Sequence, residues 1–519
     1  VKHDRHRPPV PPRRPGPAPA PPPPTTDDDG AAIPADAAAE EHLGSDAGNA
    51  GGSDDATAAD HDPAEPTPLA RLVASLPDGA AFQAALAKPF RRALRRHPHR
   101  GTLHGWGTLE AIPWTNPRAP ATPANATDPQ SAARPPAEGA ARPSAQDAQG
   151  YFHDADVDPG DRLDYHTGAA YPQDAASQLP VILLDPQPGE TVIDACAAPG
   201  SKTTQIGLAL GDHGLLLALD AAPARRRVLV ENLARQGIAS ALVLPLSLAS
   251  LAARHPRAAD AVLVDAPCSG HRDVRARQSR RLGERQGALL AHAAALVRPG
   301  GRLVYSTCTP WPDEDETVIA AFLAAHPGWI VDTPMPLGCD RDLAGLGALR
   351  LWPHRQGCEP FFACRLRAPG DADRDAQGAA GTLAHAGHLP DHHHALAAIL
   401  PGTDLHCWER GGVLFAATHA AAACALPAEA RGVRLGRLRD TRSGPRLDLE
   451  PWAAQALIAR GARAVTVPRA TACDLWAGGT DPGLHPGDLV RTADGAPLAA
   501  AGKDGRLDLP SRLRRAGLR

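Results

Sequence analysis

The stretch Leu263-Val-Asp-Ala-Pro-Cys-Ser-Gly270 constrains this chain more than any other. Val262, Leu263 and Val264 form an apolar run that stops at Asp265, turns at Pro267 and carries Cys268 in the turn. Forty residues on, Gly301-Arg-Leu-Val-Tyr-Ser-Thr-Cys308-Thr repeats the plan, with Cys308 at the strand's carboxyl end. Asp194-Ala-Cys-Ala-Ala-Pro-Gly-Ser-Lys202 does the same earlier and leads into a helix. Continuous apolar runs suit strands covered on both faces. In an open parallel sheet, ligands bind outside the carboxyl ends of the strands. Three polar turns of this kind predict three walls of one crevice.

The surrounding pattern predicts an α/β fold. Strands are expected at 191–196, 214–220, 241–246, 260–265, 301–307 and 360–366, and helices at 201–210, 222–236, 284–297 and 313–325. Such alternation implies a parallel sheet with helices on both sides, here over 150–367. Residues 1–66 are rich in Pro, Ala, Asp and Gly and are expected to be a disordered tail. In 67–115, Leu69, Leu72, Val73 and Leu76 have helical spacing, and Phe82, Leu86 and Phe90 make a second apolar face. This reads as a small helical domain, with Phe90-Arg-Arg-Ala-Leu-Arg-Arg96 as its basic face. Residues 116–149 read as a linker or a surface insertion, and 368–400 as a linker. Beyond 400, short strands, turns at Asp494-Gly495 and Asp504-Gly505, and a helix over 450–460 suggest small α+β modules.

Charge becomes informative once the chain is divided. The first 66 residues carry 13 acids against five bases, and the rest 45 against 49. Arginines cluster at 91–96, 272–285 and 512–519. Such patches suit a phosphate backbone, or else a solvated surface. Nine cysteines without a CxxC spacing describe neither a disulfide framework nor a zinc ribbon. His385, His388 and His392 to His394 are better read as linker polarity than as a metal site. No apolar run reaches about 18 residues, and the Pro-rich beginning lacks the apolar core of a signal peptide. A cytoplasmic protein without a membrane span is expected.

The turn from Cys196 through Ala197, Ala198, Pro199, Gly200 and Ser201 to Lys202 bends the backbone into a helix, with Ser201 as the expected cap. Free amides at a helix start attract anions. Asp220 ends the next strand, eighteen residues after Lys202, where an acid can accept ribose hydroxyls. The pair suggests a nucleoside-bearing cofactor. If the strands ending near Cys268 and Cys308 are neighbours, roughly 4.8 Å apart, both sulfurs can face one substrate atom. The other cysteines, Cys196 included, are expected to pack as small apolar groups.

These motifs resemble the Sun/Nop family of RNA cytosine-5 methyltransferases, in particular its bacterial RsmF-like branch. Asp194 to Ile206 resembles the S-adenosylmethionine loop, Asp265 to Gly270 and Tyr305 to Thr309 the two cysteine motifs, and Tyr171-Pro-Gln-Asp-Ala-Ala-Ser177 the segment leading into the catalytic domain. The resemblance implies a Rossmann-like methyltransferase sheet over 150–367, an RNA-binding region over 67–115 and a PUA-like RNA-binding region over 401–519. It implies Cys308 as the nucleophile on C6 of cytosine and Cys268 as the group that assists release. Asp265 would hold the base edge, and Lys202 would steady the site. Cofactor contacts fall to residues 196–202, Asp220, Ser247 and Asp265. The implied partner is structured RNA, ribosomal before transfer, met by a monomer.

Three departures are visible. Ser247 stands where the family commonly has an acid near adenine. The loop His271-Arg-Asp-Val-Arg-Ala-Arg-Gln-Ser-Arg-Arg281 is shorter and more basic than usual. Glu314-Asp-Glu316 replaces a Glu-Asn-Glu run and is read as first-turn acids suited to helix 313–325. Two competing readings are a non-catalytic RNA-binding factor and a methyltransferase acting at nitrogen, which would not need Cys308.

Overall fold

The computed structural model describes residues 67–115, 150–271, 276–370, 405–441, 444–459 and 463–509, with 513 and 518. The expected tail over 1–66, the linker at 116–149, nearly all of that at 368–400 with its histidines, and the arginines at 272–275 lie outside the described residues.

Helices α1 (Pro68–Ser75) and α2 (Gly79–Leu86) form a short hairpin. Thr67 caps α1 by accepting the Ala70 amide at 3.2 Å. Leu72, Leu76 and Phe82 pack on Trp311 and Trp352, and Phe82 meets Trp352 edge-on at 5.4 Å. Strands β1 (Ala93–Arg96), β2 (Glu110–Ala111), β3 (Gly150–Phe152) and β4 (Ala170–Pro172) then make an antiparallel sheet in the order β2-β3-β1-β4.

This sheet corrects the expected basic helical face. Residues 93–96 are a strand, and Arg95 is only 1% exposed. Its guanidinium donates to Gln173 (2.9 Å), the Ser201 carbonyl (3.0 Å) and Thr204 (2.8 Å). Arg91 pairs with Glu110 and lies over the Phe152 ring, while Arg92 donates to the Val157 carbonyl. Three of these arginines therefore hold the fold together. The sheet also crosses the boundary expected at 150, because β3 and β4 both pair with β1.

After α3 (Leu163–His166) and α4 (Leu179–Leu184) come the strands of the central sheet. They are β5 (Thr191–Asp194), β6 (Leu215–Leu219), β7 (Ala241–Leu244), β8 (Ala259–Asp265) and β9 (Val297–Thr307), all parallel, in the order β9-β8-β5-β6-β7. Every residue of β5, β6 and β7 is buried, the signature of strands covered on both faces. Helices α5 (Ser201–Leu210), α6 (Pro223–Gln236), α7 (Leu248–Arg254), α8 (Ala276–Leu296) and α9 (Glu316–Ala325) follow successive strands. The winding reverses between β5 and β8, and a crevice opens at such a point.

The expected all-parallel sheet is instead mixed. After β10 (Ile330–Val331), β11 (Asp340–Arg341) and β12 (Leu349–Leu351), strand β13 (Phe361–Arg367) returns antiparallel against β9. The short connection between β12 and β13 suits the antiparallel pairing of those two strands.

Beyond 405, β14 (Leu405–Arg410) and β15 (Val413–Thr418) are followed by β16 (Ala430–Arg431), which joins the free edge of β7. Arg226 of α6 holds Glu429 beside it at 2.7 Å. Strands β17 (Val433–Thr441) and β18 (Gly444–Leu449) complete a four-stranded sheet. The expected helix is present over Pro451–Ala459. The last sheet contains β19 (Val465–Val467), β20 (Leu489–Thr492) and β21 (Pro497–Ala500), and Asp494-Gly495 turns between β20 and β21 with Gly495 at φ 91°.

Arg350 on β12 is the buried charge that fastens β12 to the start of α9. It is 1% exposed and donates to Asp315 (2.9 Å), to both oxygens of Glu316 (2.7 and 2.6 Å) and to the Pro310 carbonyl (3.1 Å). Burial pushes the Asp315 carboxyl upward against Arg350. Removing one partner of a buried ion pair strands the other charge. Arg350→Met should therefore cost about 3–5 kcal/mol, measured by urea unfolding. A loss below about 1 kcal/mol would place these groups effectively in water.

Candidate active site

Strands β8 and β9 run parallel with Asp265 opposite Ser306. Both chains leave the sheet just beyond that pair, so Cys268 and Cys308 emerge at the same height. Their Sγ atoms lie 3.2 Å apart. Both thiols are free and partly accessible, and a disulfide would need about 2.05 Å. The contact with Cys308, followed by burial, pushes the Cys268 thiol well above its ordinary range. Either sulfur can be the donor in the pair.

Beside the sulfurs lies an ion pair. Lys202 Nζ is 2.6 Å from Asp265 and donates to Ser177 Oγ at 2.7 Å. Burial works against the Lys202 charge, but Asp265, with help from Cys308 and Asp194, raises its affinity for the proton. Ser306 Oγ donates to the other oxygen of Asp265 at 2.7 Å. The carboxylate is thus aimed from two sides, while its side chain stays 27% exposed to the crevice. Lys202 also lies over the Phe361 ring, so β13 closes this wall.

The loop after β5 forms the neighbouring wall. Helix α5 starts at Ser201, and its cap is Gly200 at φ 112°, a backbone angle that glycine adopts without strain. The expected cap by Ser201 is corrected, since no side chain caps α5. The Ser201 carbonyl instead receives Arg95. Asp220 accepts the Ala198 and Ala222 amides at 3.2 and 3.0 Å, which ties the end of β6 to the loop. Ser247 caps α7 by accepting the Ser250 amide at 3.2 Å. It therefore stands at the end of β7 as a helix cap and brings no charge to the crevice.

Cys196 is the electrostatic probe of this wall. Burial raises its thiol, and the nearby carboxylates of Asp194, Asp265 and Asp220 raise it further. These three acids stand at the ends of β5, β6 and β8, and Asp265 is the one exposed to the crevice. Asp194 accepts Thr203 Oγ1 at 2.8 Å, and its other oxygen is buried without a hydrogen-bond partner. The unpartnered Asp194 oxygen and the crevice-facing Asp265 suit a cofactor that carries positive charge. Among the described residues no cluster of His, Cys, Asp and Glu could hold a metal ion.

Glu314 and Glu316 do stand in first turns, Glu314 of the 3-10 turn Pro312–Glu314 and Glu316 of α9, but these acids are buried. Glu314 and Asp315 are fully buried and Glu316 nearly so. Glu314 faces the Cys268 turn, Asp315 accepts Thr307 Oγ1 at 2.5 Å, and Glu316 takes Arg350. The available signal was an acid triplet directly before the apolar run Val318–Phe322, where unpaired charges could not be buried.

The sequence model of the 16S rRNA methyltransferase RsmB/F family matches residues 181–367, the segment that carries both cysteines. Over that segment the chain resembles this family. The family match covers β5 to β9 and β13 together with every loop described above. The protein named ribosomal RNA small subunit methyltransferase F from Klebsiella pneumoniae (strain 342) is 30% identical over 58% of this chain and 62% of its own length. Its counterpart from Erwinia tasmaniensis is 36% identical over 41% of this chain and 48% of its own length. A protein named tRNA (cytosine(49)-C(5))-methyltransferase from Pyrococcus abyssi is 29% identical over 58% of this chain and 96% of its own length. The chain thus spans about half to two thirds of the two bacterial relatives.

Burial pushes the Asp194 carboxyl from its ordinary 3.8 up to about 7, and Thr203 only partly offsets this. The folded chain then holds this proton more tightly than the unfolded chain. Its contribution to stability is complete below about pH 4 and is lost as pH rises through about 7. Asp194→Asn should flatten that part of the stability–pH curve for the ligand-free protein, as read by denaturant unfolding between pH 4 and 8. An unchanged slope would mean that the carboxyl ionises normally.

Proposed function

We propose that this chain is an S-adenosylmethionine-dependent RNA cytosine-5 methyltransferase acting on small-subunit ribosomal RNA. The observation that carries the reading is the pair of sulfurs at 3.2 Å beside the Lys202–Asp265 ion pair. Residues 196–202, with Asp194, Asp220, Ser247 and Asp265, would hold the cofactor, which supplies an electrophilic methyl group when bound.

The chain's own residues divide the remaining work. Cys308, as thiolate, adds to C6 of the cytosine and makes C5 nucleophilic. Asp265 holds the polar edge of the base, so charge developing on the ring is met by a fixed group. Lys202 keeps Asp265 in place through their ion pair. After C5 is methylated, its proton leaves to a base on the Cys268 side of the site. The C5–H electrons re-form the ring double bond, and the C6–Sγ bond to Cys308 breaks. Cys268, 3.2 Å from the Cys308 sulfur, has the proximity to assist that exchange. A nitrogen acceptor would leave both sulfurs without work.

A base paired in a helix cannot enter such a crevice, so the target is flipped or single-stranded. We read 67–115 and the PUA-like region over 401–519 as the parts that hold structured RNA by its backbone. On this reading the protein works as a cytoplasmic monomer. Among the described residues no helix is long and apolar enough to cross a membrane. Transfer RNA is the second substrate class, favoured by the long match to the archaeal relative.

The test uses RNA, S-adenosylmethionine and two variants. Cys308→Ala should abolish methyl transfer, whereas Cys268→Ala should accumulate a covalent protein–RNA adduct on denaturing gels. Transfer that survives Cys308→Ala would indicate nitrogen chemistry. A wild-type protein that binds RNA but neither binds the cofactor nor methylates would be an RNA-binding factor.

A further inference from the structure

We propose that Glu314 is the positioning residue for Cys268, so that the segment carrying the nucleophile also sets the group that releases it. The inference rests on the methyltransferase reading above. It begins with the peptide groups on either side of Cys268. The Pro267 carbonyl, on one side, accepts Gln286 Nε2 at 2.9 Å. The Ser269 amide, on the other, donates to Glu314 Oε2 at 3.1 Å. The same Gln286 nitrogen donates to Glu314 Oε2 at 3.0 Å, which closes a clamp around the cysteine. Ser269 Oγ and Ser279 Oγ donate to Glu314 Oε1 at 2.5 and 3.1 Å.

Four donors thus converge on one fully buried carboxylate. Burying a carboxylate is costly unless its oxygens are satisfied, and here hydroxyl, amide and carboxamide groups satisfy them. A carboxylate that only needed to be neutralised would be served by an arginine, as Glu316 is. This one spends its hydrogen-bonding capacity on the Cys268 turn and on α8 behind it.

Glu314 is itself fixed to the nucleophile's strand. Its carbonyl accepts Tyr305 Oη at 2.6 Å, and its amide donates to the Trp311 carbonyl at 3.0 Å. Tyr305 lies three residues before Cys308 on β9, and Glu314 six residues after it. The reference point for Cys268 is therefore β9. Removing the carboxylate frees the Cys268 turn and leaves Cys308 on its strand. Attack, which forms the C6–Sγ bond, should persist. Release, which breaks that bond as the C5 proton departs, should slow.

The experiment compares full-length wild type with Glu314→Ala, Glu314→Gln, Gln286→Ala and the Cys268→Ala/Glu314→Ala double variant. Each is mixed with RNA and S-adenosylmethionine, and denaturing gels follow the adduct while 5-methylcytosine is counted in single turnovers. Cofactor binding by calorimetry reports folding. The expected result for Glu314→Ala is near wild-type cofactor affinity with release slowed on the order of tenfold or more, as for a group misplaced by about 1 Å. Glu314→Gln keeps an acceptor for Ser269 and should recover most of the rate. The double variant should trap no more adduct than Cys268→Ala alone. Glu314→Ala that releases at the wild-type rate, or that loses adduct and product together while binding cofactor, overturns the proposal. If Glu314→Ala does not bind cofactor, Gln286→Ala decides: slowed release supports the clamp and wild-type release overturns it. A wild type that forms neither adduct nor product instead sinks the methyltransferase reading, and this inference with it.

Discussion

The parallel pairing of β8 with β9 is the constraint on which the site depends. Their register sets Asp265 opposite Ser306. A shift of one residue would turn every side chain to the other face and separate the sulfurs. The register is held by burial, since Val262, Leu263 and Val264 on β8 and Leu303, Val304 and Tyr305 on β9 are all inaccessible. It is held again at its carboxyl end by Ser306 on Asp265 and by the carboxylates that follow Cys308. Antiparallel β13 covers the outer edge of β9 and brings Phe361 under Lys202. The crevice therefore has a rigid floor, and its chemistry sits on the ends of that floor.

Charge around the crevice is partitioned by position. Asp194, Asp220 and Asp265 stand at the ends of β5, β6 and β8, and Lys202 is the cation that reaches Asp265. Asp315 and Glu316 are withdrawn into the ion pair with Arg350, and Glu314 into the clamp on Cys268. Asp265, Glu314, Asp315 and Glu316 are close in sequence to one or other of the two cysteines, and unpaired carboxylates beside a thiol raise it by repulsion. Withdrawal of three of them leaves Asp265 as the acid next to the sulfur pair. The N-terminal hairpin contributes at a distance, since Phe82 and Leu72 pack on Trp311, three residues beyond Cys308.

Much of this was legible in the sequence, for physical reasons. The strands over 191–265 read correctly because each is a continuous apolar run ended by a polar turn, and two-sided burial demands that pattern. Cys268 and Cys308 were legible as a pair because strand ends converge in an open sheet, and the family resemblance added Asp265 and Lys202 to them. What stayed hidden depended on partners distant in sequence. Arg95 reads as a surface charge until its acceptors at Gln173, Ser201 and Thr204 are known. Glu314 reads as a first-turn acid until Ser269, Ser279 and Gln286 are seen around it. The direction of β13 was also hidden, because buried parallel and antiparallel strands share one apolar pattern. Ser247 could be read as a missing acid, but only the backbone geometry reveals it as a helix cap.

The central claim is that Cys308 bonds to the pyrimidine while Cys268 attends its release. The most direct measurement is peptide mapping of the adduct formed with RNA carrying 5-fluorocytidine, which blocks proton loss from C5 and so holds the covalent state. The account predicts that the modified nucleotide is found on the peptide containing Cys308, in wild type and in Cys268→Ala alike. A label on Cys268 with Cys308 unmodified would reverse the assignment of the two sulfurs and contradict the account.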